Sequence, residues 1–262
     1  MRVCTIGDLL LDVIVRLDGP IAPDTDTYGR TSVGAGGQAA NVAAWTAALG
    51  GEGRFVGKRA ADAAGRLVAA ELAARGVELA GPEVERGTGT VVSIAAPDGS
   101  RSMLSDRGVA TELDPADLDP AWLDGCDWLH VPGYSLVRQP LAAAATKAAE
   151  LAPRVSVDAS STAAIQEVGP ELFRELVRGL GPELVFANEA EAELLGPLDG
   201  ATVVVHSGSG CRVGAEVFAA LVAEVVDTTG AGDAFAAGYL LGGPELALKA
   251  AARCVGKLGA MP

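Results

Sequence analysis

The stretch Asp227-Thr228-Thr229-Gly230-Ala231-Gly232-Asp233-Ala234-Phe235-Ala236-Ala237-Gly238-Tyr239-Leu240 decides how this chain is read. Before it, Leu221 to Val226 is apolar and rich in β-branched residues, which predicts a strand. After it, the pattern predicts a helix over Asp233–Leu241. A strand therefore ends in a loop of small residues, and the loop opens a helix whose first turn carries one carboxylate. Glycine lets the backbone turn tightly and lets a ligand approach it. A helix N-terminus leaves N–H groups without partners and carries a partial positive charge. Together these make a site for an anion, and phosphate fits it best. An acid beside such a site repels the ligand unless it has a task. Accepting the proton of a hydroxyl that attacks the phosphate is one such task. Taken alone, Gly-Ala-Gly-Asp reads equally as simple capping, because Asp and Gly are ordinary residues at helix starts and turns.

Outward from this motif, strand-like and helix-like segments alternate. Strands are expected at Val3–Ile6, Arg54–Gly57, Trp128–Val131, Val155–Asp158, Leu184–Ala187 and Thr202–His206. Helices are expected at Gln38–Leu49, Gln139–Leu151, Pro170–Arg178, Glu189–Leu195 and Pro244–Leu258, with a further one capped by Asp62 and stopped by Gly76. Short strands separated by helices imply a mostly parallel sheet covered on both faces. Two segments break the rhythm. Residues 12–33 and 87–105 read as β-hairpins, the second with a turn at Pro97-Asp98-Gly99-Ser100. They form either a small separate sheet acting as a lid, which is the expectation, or edge hairpins of the main sheet.

The 262 residues suit one large domain spanning 1–262. A formal net charge of −14 argues against general affinity for nucleic acid or an anionic membrane. Any phosphate site must then be positive locally, through backbone N–H groups, a few cations or bound metal. The four cysteines and two histidines show no zinc-like spacing. Scattered cysteines, the lack of a signal-like start and the lack of a membrane-length apolar run lead to the expectation of a reduced, cytoplasmic protein.

A second glycine loop, Gly34-Ala35-Gly36-Gly37-Gln38-Ala39-Ala40-Asn41-Val42-Ala43, also opens a helix. It matches the dinucleotide pattern G-x-G-x-x-A by letter. The strand-like piece before it is short, and no acid closes a following strand at the usual distance. Asn41 lies one turn from Gly37, where its amide can donate to and accept from sugar hydroxyls. The alternative is a buried Asn that ties down neighbouring loops.

The two motifs together resemble the signatures of the ribokinase-like (PfkB) carbohydrate kinase family. Gly7-Asp8-Leu9-Leu10-Leu11-Asp12, Gly57 with Asp62-x-x-Gly65, Asn188-Glu189-Ala190-Glu191 and the terminal Leu258-Gly259-Ala260 agree in order along the whole chain. The resemblance implies a three-layer α/β/α domain with a β lid, and ATP-dependent phosphorylation of a hydroxymethyl group. It places Asp233 at the catalytic base and Gly230, Ala231 and Gly232 at the anion hole. Asp12, Gly36, Gly37 and Asn41 fall at substrate positions. Asn188 and Glu191 fall at positions tied to the phosphates and Mg²⁺, largely through water. Asp227 and Thr229 match part of a monovalent-cation (K⁺) site that some members use. Ser207 and Gly208 match the nucleotide-contacting strand end only loosely. Leu10 and Gln38 depart from the Asn and Lys of true ribokinases, which puts ribose in doubt.

Of the residues outside the motifs, Arg107 reads as a surface arginine at a hairpin base or as a lid residue reaching the substrate. Asp158 reads as a loop cap or as a helper of metal or substrate. His130 and His206 read as structural. The rival functions are a nucleoside kinase of the same fold, a silent sugar- or nucleotide-binding regulator, and an oxidoreductase. A lid sheet with an apolar face also suggests a homodimer.

Overall fold

The computed structural model describes residues 1–98 and 100–262. Its strands are β1 (Arg2–Ile6), β2 (Leu10–Leu17), β3 (Gly29–Gly36), β4 (Glu52–Val56), β5 (Arg59–Ala60), β6 (Glu78–Ala80), β7 (Glu83–Val84) and β8 (Thr88–Ala95). They continue with β9 (Arg101–Gly108), β10 (Trp128–Pro132), β11 (Val155–Asp158), β12 (Leu184–Asn188), β13 (Thr202–Ser207), β14 (Gly210–Val213) and β15 (Glu216–Ala219). The helices are α1 (Gln38–Ala48), α2 (Ala63–Ala74), α3 (Gly133–Leu136), α4 (Leu141–Leu151), α5 (Thr162–Val168), α6 (Pro170–Gly179), α7 (Glu189–Leu195) and α8 (Ala231–Val255).

The main sheet runs β15-β14-β13-β12-β11-β10-β1-β4-β6. From β13 through β6 every pairing is parallel, and β14 and β15 add an antiparallel edge. Side chains of a strand alternate between faces, and here both faces are buried. Along β12, Val185 and Ala187 pack with Leu129, Leu141 and Phe173 on one face. Phe186, between them, packs with Trp45, Phe235 and Leu240 on the other. The near-continuous apolar runs of these strands follow from being covered twice. The expected three-layer α/β/α arrangement with a mostly parallel sheet is therefore the architecture of the chain.

The two hairpin segments form a second sheet, β3-β2-β8-β9, separate from the first. Its hairpins are antiparallel and β2 pairs with β8 in parallel. The expected turn at Pro97–Ser100 includes Gly99, which lies outside the described residues. Next to it, Asp98 accepts the Ser100 N–H at 2.9 Å. Val33, Met103 and Leu104 on this sheet are exposed.

One expectation is overturned. Leu221–Val226 is not a strand. The segment does not add to the edge strand β15, and Val222 is fully exposed. The Val226 and Asp227 N–H groups instead donate to the Val255 carbonyl at 2.8 and 3.2 Å. The two helices expected near the C-terminus are the two parts of α8, separated by non-helical Gly242 and Gly243 just before Pro244, and the second part ends at Val255 rather than Leu258. The helix expected from Gln139 begins at Leu141.

Candidate active site

The site lies at the C-terminal ends of β11, β12 and β13, where ligands of open α/β sheets collect. A cleft of about 240 Å³ is lined by Gln38, Asp158, Ser160, Asn188, Glu191, His206, Gly230, Gly232 and Asp233. The two glycine loops, some 190 residues apart in sequence, meet here: Asn41 Nδ2 donates to Asp233 Oδ2 at 2.7 Å, and Gln38 Nε2 lies 3.5 Å from Asp233 Oδ1.

Gly230 heads α8 in a left-handed conformation (φ 78°), and no side chain caps the helix. A side chain at Gly230 would strike Ala260, so that turn needs glycine. Gly232 is different. A methyl there would meet only the His206 ring, at 3.7 Å, so the fold leaves space open on the cleft side. The Ala231 N–H donates to the Thr228 carbonyl at 3.3 Å, so the first turn of α8 offers the Gly232 and Asp233 N–H groups and the positive end of the helix dipole to an anion.

Asp233 is buried at the head of that turn. Burial holds its carboxyl well above the usual carboxylate range, the Asn41 amide pulls it back, and Asp158, Asp8 and Asp12 push it further up. Burial and Glu191 push Asp158 up to about 7. Asp158 also accepts the Ser160 N–H at 2.7 Å, so it caps its loop and faces the cleft at once. Glu191 is raised by burial. With Asn188 it forms a capping box on α7, Glu191 N–H to Asn188 Oδ1 at 2.9 Å and Asn188 N–H to Glu191 Oε2 at 2.8 Å. His206, expected to be structural, lines the cleft against Phe235, and burial lowers it to about 4. His130 fits the structural expectation, buried and bonded to Ser156 at 3.0 Å.

The remaining candidates are placed as follows. Gly36 and Gly37 sit against Asp12 and Asp8, where a methyl would fall 2.1 Å from the Asp12 carboxyl carbon and 2.5 Å from the Asp8 carbonyl oxygen. Asp12 lines a neighbouring pocket beside Gly34, Lys257 and Gly259, and burial and Asp8 raise it to about 6. Asp227 accepts Thr229 N–H and Oγ1–H at 3.0 and 2.7 Å and Gly259 N–H at 3.1 Å, joining the loop before α8 to the C-terminal loop. Ser207 and Gly208 are exposed on the β13–β14 turn and do not line the cleft. Ser207 Oγ bonds Ser209 Oγ at 2.8 Å.

Sequence reasoning gave no separate role to Asp8 and favoured a surface arginine at position 107. Asp8 is buried and pairs with Arg107 at 2.5 Å, and the Arg107 guanidinium lies over the Tyr134 ring at 4.6 Å. These three residues, with Ser105 and Thr111, line a cavity of about 190 Å³ that borders Asp8. No local pattern announces this, because the pairing spans 99 residues. Among the described residues no group of three His, Cys, Asp or Glu side chains is placed to hold a metal ion.

Residues 1–261 match the model of the pfkB family carbohydrate kinases. The chain belongs to that family. It is 30% identical to an ATP-dependent ribose-1-phosphate kinase of Halopiger xanaduensis, over 97% of this chain and 90% of that one. It is 27% identical to fructokinase-1 of Oryza sativa subsp. japonica, over 91% of this chain and 81% of that one. The crystal structure of adenosine kinase from Sinorhizobium meliloti superimposes with a TM-score of 0.85 at 28% identity, over 100% of this chain and 95% of that one. No helix among the described residues is long and apolar enough to cross a membrane.

Proposed function

We propose that this pfkB-family chain transfers the γ-phosphoryl group of ATP to a hydroxymethyl group of a sugar or sugar-like acceptor, with Asp233 as general base. One observation carries the reading: a buried carboxyl stands at the head of an uncapped helix, inside a cleft, and is addressed by an amide from the other glycine loop. The acceptor hydroxyl sits between Asp233 and the phosphate, and Asp233 takes its proton as the oxygen attacks in line. The N–H groups of the Gly230–Asp233 turn stabilise charge on the transferred group. Asn41, whose Oδ1 is buried without a partner, accepts from a second acceptor hydroxyl.

No Lys or Arg lines the cleft, while Asp158, Glu191 and Asp233 do. Such an acidic, uncompensated wall suits Mg²⁺ held mainly by phosphates and water, with Glu191, Asp158 and Asn188 as nearby protein groups. Bound there, Mg²⁺ supplies charge neutralisation for the phosphates. The lid is the β3-β2-β8-β9 sheet, Asp12 and the Gly36-Gly37 loop border the acceptor, and the Asp227–Thr229 loop is the place for K⁺. The exposed apolar residues of the lid sheet support a homodimer.

Two features favour a second acceptor class, a nucleoside. The Tyr134 cavity has an apolar side of Val137, Leu141 and Ala163, and a nucleoside kinase is among the relatives of matching fold. An ADP-release screen decides. Pentoses, hexoses, ribose 1-phosphate, keto-deoxy sugar acids and nucleosides are each offered with MgATP, with and without K⁺. Release with a sugar or sugar phosphate supports the main reading, release with nucleosides alone the second. Sugar binding without any ADP release would leave a silent regulator. Light scattering against concentration tests the dimer.

A further inference from the structure

We propose that Ser160 and Gln38 form a directed chain of hydrogen bonds that orients the Asp233 carboxylate, which makes Gln38 a positioning residue of the site. The proposal rests on the reading of Asp233 as base, and it assigns work to two residues that lie 122 positions apart. Its starting point is a backbone anomaly. Ser160 adopts φ 70°, a region that residues with a Cβ avoid. Observed outliers of this kind cluster at functional sites, and this one lines the cleft.

The direction of each bond follows from the donors present. Ser160 N–H donates to Asp158 Oδ1 at 2.7 Å, which pins the loop. Ser160 Oγ accepts the Tyr134 N–H at 3.3 Å. Its own proton then goes to Gln38 Oε1 at 2.5 Å, far closer than the Asp158 carbonyl at 3.4 Å. With its oxygen taken, the Gln38 amide presents Nε2 to Asp233, at 3.5 Å from Oδ1. The reverse orientation would set an amide oxygen against a carboxylate. Gln38 and Asn41 stand three residues apart on α1, hence on one helix face. Asn41 holds Oδ2 at 2.7 Å, so each carboxylate oxygen has its own amide. The longer Gln38 contact is the kind that tightens when a substrate fills the site.

The surroundings explain why such a chain matters. Asp233 faces Asp158 from β11, Asp8 from the loop after β1 and Asp12 from β2. Glu191 stands beside Asp158, His206 is held neutral by burial, and the Cys254 thiol at the far end of α8 also feels Asp233. Asp158, Asp8 and Asp12 each oppose ionisation of Asp233. The Asn41 amide favours it, Gln38 brings a second amide to the other oxygen at 3.5 Å, and a base must be ionised to accept a proton.

The test uses the full chain with Gln38→Leu, Ser160→Gly and the double variant. Glycine suits the left-handed backbone at 160, so Ser160→Gly removes the hydroxyl without breaking the turn and serves if Gln38→Leu folds poorly. The first readout is the ¹³C-carboxyl NMR titration of Asp233 without substrate. Its midpoint rises by about one pH unit in Gln38→Leu and by less in Ser160→Gly. The second is kinetic. The acid limb of kcat/KM moves up by a similar amount, kcat falls about tenfold at neutral pH, and KM for ATP is unchanged. The double variant is no worse than Gln38→Leu, because both act through one chain. An unmoved Asp233 midpoint overturns the proposal, as does a raised acceptor KM without a change in the titration. A shifted midpoint in a protein that phosphorylates nothing upholds the bond chain and sinks the kinase reading instead.

Discussion

The two glycine loops begin alike and end differently. Each lets a helix start without a side-chain cap of its own, α1 after Gly37 and α8 after Gly230. At α1 another part of the chain fills the vacancy: Asp8 accepts the Ala39 N–H through its carboxylate and the Ala40 N–H through its carbonyl, both at 3.4 Å. At α8 no side chain does. The glycines differ in the same sense. A side chain at Gly36 or Gly37 would collide with Asp12 or Asp8, and one at Gly230 with Ala260, whereas one at Gly232 would make only an ordinary contact with the His206 ring, at 3.7 Å. The first loop is glycine-rich because the fold presses against it, and it delivers side-chain amides. The second leaves room for a ligand, and it delivers main-chain donors and a carboxylate. Similar letters thus encode a packing constraint at Gly36, Gly37 and Gly230, and space on the cleft side at Gly232.

The sharpest way to break that contrast is Asp233→Asn. It keeps the shape and removes the base, so turnover should fall about 10²–10⁴-fold while calorimetry shows ATP binding intact. A rate near that of the parent removes Asp233 from its role. Next comes the charge of the cleft. The Asp158 carboxyl is raised in the fold, so its neutral form is the stable one there, and the stability it contributes is lost as pH rises from about 4 toward 7. Asp158→Asn should therefore match the parent in denaturant unfolding near pH 4 and exceed it at pH 8, by up to about 4 kcal/mol. A constant difference across that range would refute the assignment.

The loops themselves can then be compared directly. Gly37→Ala meets the Asp8 backbone at φ 99° and should cost about 1–3 kcal/mol of stability. Gly232→Ala should leave unfolding unchanged or raise stability by about 0.5 kcal/mol, yet lower turnover about 10²-fold by crowding the phosphate. If Gly232→Ala is the one that unfolds, the contrast fails. The smallest effect belongs to Val222→Ser in the exposed segment before the second loop. Its thermal midpoint should correspond to a change within about 0.5 kcal/mol, whereas a strand residue there would cost more.

That last variant marks where local pattern misleads. Leu221–Val226 has the composition of a strand, but local pattern does not supply a partner, and the end of the segment bonds the Val255 carbonyl instead of the edge strand β15. Buried strands such as Val155–Asp158 were legible because double coverage demands unbroken apolar runs. Asn188 and Glu191 were legible as a motif, but the capping box they form on α7 was not read from the sequence, although its two ends lie only three residues apart. Asp8 with Arg107, and Gln38 with Ser160, were not, since each partnership is made across the fold between residues that look unremarkable alone.

Trp45 on α1 donates its indole N–H to the Ala260 carbonyl at 2.8 Å, and Asp227 grips the Gly259 N–H. The final loop is thus a clasp between α1, which carries the two amides of the cleft, and the loop that leads into α8, which carries the carboxylate. Loosening that clasp, by heat or mild denaturant, would let the two halves drift before the central strands separate. Loss of catalysis should then precede loss of secondary structure, and the gap between the two curves would measure how tightly the clasp is fastened.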